Sequence, residues 1–175
     1  MTIEIVVPPS VAEQFTAAKR TTAVVSPDEV VVPAGHPAQV VLARFGGLRV
    51  GACGTGEECA SSDIDFGFEV DDQALNEVTE WQRLLSTVLV NIGEFHHRHG
   101  AFFMDAAGAC YGMSLVHDAF WFIAPTFGEA VERLLLGRQS RPMLRPDQAF
   151  VTMFGQRMTP AHADVYWVGL PGRSA

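Results

Sequence analysis

Residues 101–113 read AFFMDAAGACYGM, which is an apolar run, a short polar step and a second apolar run. The step is Asp105-Ala106-Ala107-Gly108, and aspartate and glycine are residue types that tight turns favour. Two apolar runs joined by such a turn are typical of neighbouring antiparallel strands. The stretch therefore predicts a β-hairpin, and it decides that the fold contains an antiparallel sheet.

The residues that follow the hairpin predict one more strand and a helix. Residues 120–123 read FWFI, which is typical of an aromatic strand. Thr126 then precedes an apolar helical pattern, and Glu129 follows at the spacing of a capping box. Gly137 stands where such a helix ends, so we predict a helix over 127–136. The residues expected to face the core are Phe127, Ala130, Val131, Leu134 and Leu135.

The rest of the chain mixes helices and strands without a regular alternation of the two. Helical spacing and capping residues predict helices over 11–19, 37–44 and 71–85, and near 146–154. β-Branched or alternating apolar residues predict strands at 3–7, 29–32, 48–52, 64–69 and 89–92, and near 163–168. This order is typical of an α+β fold with a mainly antiparallel sheet and flanking helices. The length of 175 residues fits a single domain over 1–175.

Composition excludes several classes of protein. Hydrophobic residues make up 48% of the chain and charged residues 18%, which excludes an intrinsically disordered chain. A net charge of −8 repels phosphate backbones on average, so nucleic acid is not expected as a direct ligand. No apolar run reaches the roughly 20 residues of a membrane span, and the first residues lack a signal-peptide pattern. We expect a cytoplasmic protein without a cofactor, with Cys53, Cys59 and Cys110 as reduced thiols.

The distribution of charge singles out one acidic segment. No basic residue occurs between Arg49 and Arg83, whereas that interval holds nine of the twenty acidic residues. From residue 138 onward the sign reverses, because arginines outnumber acids there. An acidic surface of this kind attracts a basic partner surface. The alternative is a solvated face that only aids solubility. The nine residues are Glu57, Glu58, Asp63, Asp65, Glu69, Asp71, Asp72, Glu77 and Glu80.

The segment His96-His97-Arg98-His99 is the clearest candidate for a metal site. Imidazole nitrogens bind zinc, copper and nickel, and Glu94 and Cys110 are available to complete a set of ligands. Adjacent histidines on a strand nevertheless point to opposite faces, and the spacing lacks the HExxH geometry that places two rings on one helical face. The alternative, which the spacing favours, is a solvated loop before the hairpin.

Other candidate sites have weaker patterns. The cysteines and the serines at 61 and 62 are nucleophile residue types, but no known signature such as GxSxG surrounds them. The glycine-rich segment 51–56 lacks the lysine of a phosphate-binding loop. Asp63 and Asp65 have the spacing of a metal-binding pair, yet they alternate with apolar residues, so we expect them to face outward from a strand. The sequence therefore predicts no catalytic residue and no metal site.

Three segments carry a family resemblance. They are RFGGLRV at 44–50, Ile92-Gly93-Glu94 ahead of a hairpin with Asp105 and Gly108 at its turn, and the helix that ends at Gly137. In this order and spacing, over about 35–137, the chain resembles the SUKH superfamily, and most closely its third group of bacterial immunity proteins. Residues 138–175 then form a C-terminal extension, which we expect to pack on this domain.

The resemblance implies a single, non-catalytic α+β domain that binds and neutralises a polymorphic toxin delivered between bacteria, often a nuclease or a nucleic-acid deaminase. An enzyme that acts on nucleic acid has a basic groove, so we expect the acidic segment to dock over it and block the substrate. Two alternatives stay open. One is a small metal-dependent hydrolase that uses His96, His97 and His99, and the other is a protein-interaction module of the same fold without a toxin partner. The expected partner-binding residues are Glu57, Glu58, Asp63, Asp65, Glu69, Asp71 and Asp72.

Overall fold

The computed structural model describes residues 3–20, 32–66 and 72–166, with the backbone alone for 72–76. Its main sheet has eight strands: β1 (Lys19–Arg20), β2 (Leu48–Val50), β5 (Ile64–Asp65), β6 (Val90–Phe95), β7 (Gly100–Met104), β8 (Cys110–Ser114), β9 (Phe120–Ala124) and β10 (Arg141–Met143). Neighbouring strands follow the order β1-β2-β5-β6-β7-β8-β9-β10, and every pair is antiparallel. The predicted α+β fold with a mainly antiparallel sheet is therefore confirmed.

In the described ranges, two short hairpins and four α-helices accompany the main sheet. The hairpins are β3 (Gly54–Thr55) with β4 (Ala60–Ser61), and β11 (Val151–Met153) with β12 (Gln156–Met158). The helices are α1 (Ala12–Thr16), α2 (Ala38–Phe45), α3 (Asp72–Leu85) and α4 (Phe127–Leu136). Within the described residues, none of these helices has the length and apolar character needed to cross a membrane.

The hairpin predicted from residues 101–113 lies in the interior of the sheet. β7 and β8 pair along their full length, and the last pair places Met104 opposite Cys110. Asp105 and Gly108 form the turn, and the Gly108 amide donates to the Asp105 carbonyl at 3.0 Å. Gly108 has a φ of +89°, a backbone conformation that favours glycine. The turn residues therefore act as the sequence predicts.

Alternating side chains on the central strands build a core on each face of the sheet. On β7, Phe102 and Met104 belong to one core, whereas Ala101 and Phe103 belong to the other. This alternation is the period of two that a strand imposes. The first core is covered by α2 and α4, and the second is covered by α3. The predicted flanking helices thus lie on opposite faces of the sheet.

Helix α4 begins and ends at the predicted residues. The Thr126 hydroxyl accepts a hydrogen bond from the Glu129 backbone amide at 3.3 Å, which caps the first turn. Gly137 follows the helix with a φ of +68°, the left-handed conformation that commonly ends helices. The buried residues of α4 are the five predicted from the spacing.

Predictions near the N-terminus are less accurate. The helix predicted over 11–19 is shorter in the structure. α1 ends at Thr16, and β1 begins three residues later at Lys19. The strand predicted at 3–7 is wrong: this segment is extended but pairs with no strand among the described residues. The Ile5 carbonyl accepts a hydrogen bond from the Arg44 guanidinium of α2 at 2.8 Å, and Ile3 and Val6 lie beside Gly108 and Gly128, so the segment is held by contacts other than a strand ladder. Residues 29–31 and 67–69 of the predicted strands lie outside the described residues.

The segment after α4 extends the sheet. β10 pairs with β9, and the Tyr166 ring stacks on Phe122 with centroids 4.2 Å apart. Arg145 forms ion pairs with Asp118 in the β8–β9 loop, at 2.7 Å, and with Glu80 of α3, at 3.6 Å. Residues 141–166 therefore contact the sheet, a loop and α3.

Two predictions for this segment are wrong. The helix predicted near 146–154 is instead the β11–β12 hairpin, which turns at Phe154 and Gly155 with φ of +52° and +72°. Burial of Val151 and Met158 in a small third core favours the hairpin over local helix propensity. Of the strand predicted near 163–168, residues 163–166 form no strand, and the remainder lies outside the described residues.

Candidate functional site

The acidic segment after β3 is held against the end of α4. The backbone amides of Glu57 and Glu58 donate to the carbonyls of Leu136 and Gly137, at 2.8 Å each. A Cβ built on Gly56 would lie 2.6 Å from the Gly137 Cα, so the two backbones approach this closely because both residues are glycines. This contact fixes the point at which the carboxylates of residues 57 and 58 emerge.

Glu57, Glu58 and Glu132 of α4 form a surface that we call the acidic rim. Arg138 lies between two of them, with Nε 2.6 Å from Glu57 Oε2 and Nη1 3.2 Å from Glu132 Oε2. The hydrogen bond from Arg138 lowers the pKa of Glu57. The Glu58 carboxylate accepts a hydrogen bond from the Gln139 backbone amide at 2.8 Å. Two carboxylates contact one guanidinium and Glu58 adds a third carboxylate, so the acidic rim has a net negative charge.

Asp63 is buried, with 3% of its surface exposed, so the prediction that it faces solvent is wrong. Its Oδ2 accepts a hydrogen bond from Arg49 at 2.6 Å. Its Oδ1 accepts from the Cys53 thiol at 3.0 Å and from the His97 amide at 2.8 Å. Burial by itself raises the pKa of this carboxyl, but the hydrogen bonds outweigh burial and lower the pKa to about 2. Asp63 precedes the two-residue β5, so the strand alternation used for the prediction does not apply to it.

Asp65 is also buried, with 5% of its surface exposed, and the prediction of an outward carboxylate is wrong here too. It pairs across the sheet with Glu94 of β6. Arg98 contacts both, with Nη2 3.3 Å from Asp65 Oδ2 and Nε 3.4 Å from Glu94 Oε2. Burial raises the pKa of Glu94. A pair of carboxylates is tolerated at this position because a guanidinium lies against them.

Of the seven predicted contact residues the structure describes five, and it does not place these five on one surface. Glu57 and Glu58 lie together on the acidic rim, beside α4. Asp72 is the first residue of α3, which packs on the opposite face of the sheet from α4. Glu69 and Asp71 lie outside the described residues.

The histidine-rich segment forms the turn between β6 and β7. His96, His97 and Arg98 have φ of +55°, +55° and +66°, so three consecutive residues are left-handed. This conformation costs about 1–2 kcal/mol per non-glycine residue. Asp63 offsets the cost, because its carbonyl accepts from the His96 amide at 3.1 Å and its carboxylate accepts from the His97 amide. Because the segment is a left-handed turn, the strand geometry used to separate the histidine rings does not apply.

Within the described parts of the chain, the group with metal-ligand spacing is Cys53, Asp63 and His97, whose ligand atoms lie within 4.8 Å of one another. This set differs from the candidate ligands weighed in the sequence, which were the three histidines with Glu94 and Cys110, and Cys110 is buried in the core on β8. Burial raises the pKa of the Cys53 thiol, and Asp63 raises it further. Both oxygens of Asp63 already accept hydrogen bonds from protein groups. The group therefore has the features of an internally paired cluster that holds the turn.

Replacing Asp63 with asparagine tests this role. The pKa is lowered from 3.8 to about 2 by folding, so the charged form stabilises the fold above about pH 4, and this contribution is lost as the pH falls towards 2. We expect Asp63→Asn to lower the free energy of unfolding by about 2 kcal/mol at pH 7 and by less at about pH 3, measured by urea denaturation. Glu77→Gln, which removes an exposed carboxylate from α3, is the control and should change stability little. An equal loss at both pH values would contradict the charged role.

A cavity of about 500 Å³ lies beside the acidic rim, and Arg138 lines it. Its apolar wall includes Trp121, Val116 and Phe154. The last two are 70% and 38% exposed, which is high for large apolar side chains. Among the described residues that line the cavity, none is an aspartate or glutamate. Its imidazole and guanidinium groups come from His96, His99, His117, Arg133 and Arg138.

Sequence reasoning missed this cavity because its walls come from distant segments. They are the β4 strand, the β6–β7 turn, the β8–β9 loop, the end of α4 and the tip of the β11–β12 hairpin. No local spacing links these segments. The signal present in the sequence is apolar residues at loop tips, namely Leu115 and Val116 between Ser114 and His117, and Phe154 beside Gly155.

Comparison with known proteins assigns the chain to a family. The model of the SUKH-3 immunity protein family matches residues 11–137, which is 127 of the 175 residues. The chain belongs to the SUKH-3 immunity protein family. No curated protein and no solved structure gives a significant match. The resemblance drawn from the hairpin, α4 and the segment at 44–50 is therefore confirmed.

The SUKH-3 match begins at Val11, whereas the resemblance in the sequence begins at about residue 35. Both end at Gly137, the residue that caps α4. The acidic rim and the Asp63 cluster lie within it. Strands β10, β11 and β12 lie beyond it. The cavity therefore combines walls from the SUKH-3 region with lining residues from outside that region, namely Arg138, Ser140 and the wall at 152–155.

Proposed function

We propose that this chain neutralises a bacterial protein toxin by binding it directly, without catalysis of its own. The match to the SUKH-3 immunity family over residues 11–137 is the observation that carries this proposal. The proposal includes a polymorphic toxin that is delivered between bacteria and acts on nucleic acid, and an encounter in the cytoplasm. The immunity protein would then cover the groove through which the toxin reaches its substrate.

The acidic rim supports an electrostatic docking mode. A toxin that acts on nucleic acid presents a basic groove, and the negative rim complements it. The backbones of Glu57 and Glu58 are already fixed against the end of α4. Less ordering is therefore required when the toxin binds, and this favours affinity.

The other predicted contact residues have different parts in this proposal. Asp63 and Asp65 are buried in ion pairs with Arg49 and Arg98, so in this proposal they stabilise the β6–β7 turn and do not contact the toxin. Glu69, Asp71 and Asp72 remain predicted contacts around the start of α3.

Neutralising the acidic rim tests the proposed contact. The double variant Glu57→Gln/Glu58→Gln removes both charges and retains side-chain oxygens that accept hydrogen bonds. We expect it to bind the toxin domain encoded beside this gene about tenfold more weakly than the wild type at about 50 mM salt. The difference should shrink at about 500 mM salt, because exposed charges are then screened. Calorimetric titration at both salt concentrations measures this.

Asp164→Asn is the matched control, because it removes an exposed carboxylate that lies outside the acidic segment. It should bind like the wild type. Equal affinity of the double variant and the control at low salt would exclude the acidic rim as the contact surface. The proposed neutralisation would then use another surface.

A further inference from the structure

We infer that the cavity beside the acidic rim receives a loop of the toxin whose tip carries an apolar side chain next to a carboxylate. This inference rests on the proposed function and deepens it, because it assigns a place and a chemistry to the contact. The two surfaces are continuous: Arg138 lines the cavity and also contacts Glu57 and Glu132 of the acidic rim.

The apolar part of the occupant follows from the cavity wall. Val116 and Phe154 reach the cavity from two different loops and remain exposed. Trp121 lies between them and the core, since it packs against buried residues of two core clusters. Exposed apolar side chains gathered around a concave site are typical of interaction surfaces, and pockets lined in this way hold the residues that dominate binding energy. A volume of about 500 Å³ is within the range of ligand pockets.

The carboxylate follows from the charges that line the cavity. In the part of the chain that the structure describes, the lining has two arginines and three histidines but no acid. Arg138 is neutralised by the acidic rim, whereas Arg133 takes part in no ion pair with the described residues. The Arg133 Nη1 donates to the Gln139 carbonyl at 2.5 Å, and its buried Nε has no hydrogen-bond partner in the described part of the chain. A carboxylate near this guanidinium would supply the missing counter-charge.

The C-terminal hairpin gives the cavity a role in specificity. Residues 152–155 form one wall, and they lie beyond the region that matches the SUKH-3 family. A shared domain thus presents a cavity whose shape depends on a segment outside that domain. Such a wall can discriminate between toxins, because a toxin loop that fits the cavity poorly binds with lower affinity.

Charge substitutions at Val116 test both the place and the sign of the contact. Val116→Glu places an acid among the exposed residues of the cavity, and Val116→Lys places a base at the same position. We expect Val116→Glu to weaken binding of the toxin domain at least tenfold and Val116→Lys to weaken it less than threefold, by calorimetric titration. Thr152→Trp, which fills the cavity from an exposed strand position, should weaken binding at least tenfold.

Val88→Glu and Val88→Lys are the matched controls. Val88 is exposed, lies two residues before β6 begins and does not line the cavity. Thermal unfolding checks that each variant is folded. If the wild type binds and neutralises the toxin while Val116→Glu and Thr152→Trp bind equally well, the cavity inference is overturned and the proposed function stands. Equal weakening by Val116→Glu and Val116→Lys would overturn the carboxylate. Absence of binding by the wild type would overturn the proposed function and this inference with it.

Discussion

Replacing Gly137 with alanine is expected to lower the free energy of unfolding by at least about 3 kcal/mol, by two separate costs. Its φ of +68° is left-handed, which costs an alanine about 1–2 kcal/mol. The added Cβ would also lie 2.4 Å from the Cys59 carbonyl oxygen and 2.7 Å from the Gly56 Cα. These neighbours are backbone atoms, so the segment that carries the acidic rim must move away from α4.

Gly35→Ala separates the two costs. Gly35 has a similar φ of +79°, but a Cβ there has no neighbour within 4 Å among the residues that the structure describes. Its substitution should therefore cost only the conformational part, about 1–2 kcal/mol. Urea denaturation of both variants gives the comparison. If the two glycines cost the same, the close contact between Gly137 and the loop at 56–59 is not a source of stability.

Replacing Asp105 with alanine should cost about 3 kcal/mol, because three hydrogen bonds to one carboxylate are lost. Its Oδ1 accepts from the backbone amides of Ala107 and Ala109, at 2.8 and 2.9 Å. Its Oδ2 accepts from the buried Tyr111 hydroxyl at 3.1 Å. Burial and the Asp105 charge raise the pKa of Tyr111, so this hydroxyl is a donor and loses its acceptor in the variant.

Two milder variants show whether the turn or the tyrosine carries this effect. Asp105→Asn retains one oxygen for the turn amides, and Tyr111→Phe removes the hydroxyl that needs an acceptor. Each should cost about 1 kcal/mol by urea denaturation. A loss below about 1 kcal/mol for Asp105→Ala would show that the hairpin forms without this carboxylate.

Local patterns predicted the central part of the fold because their causes are local. The β7–β8 hairpin depends on a turn made of Asp105 and Gly108, and α4 depends on the Thr126 cap and the stop at Gly137. All of these interactions join residues a few positions apart. The family resemblance rests on these two segments and on residues 44–50, and the match to the family model includes all of them.

Long-range contacts explain what the sequence did not predict. Asp63 reads as an outward acid, but its partners Arg49 and His97 reach it from β2 and from the β6–β7 turn. The local sequence of the β11–β12 hairpin predicts a helix. The hairpin forms instead because Val151 and Met158 are buried in a core assembled from several segments, which no local pattern reveals. The acidic segment reads as one surface, whereas the sheet separates α3 from α4. The cavity has no local signature for the same reason.

The measurement that tests direct neutralisation most simply is growth of cells that express the toxin domain encoded beside this gene, with and without this chain. The proposal predicts that the wild-type chain restores growth and that the two purified proteins form a stable complex. Toxicity that persists when the folded chain is present in excess would contradict the proposal. The fold would then serve an interaction with a partner other than that toxin.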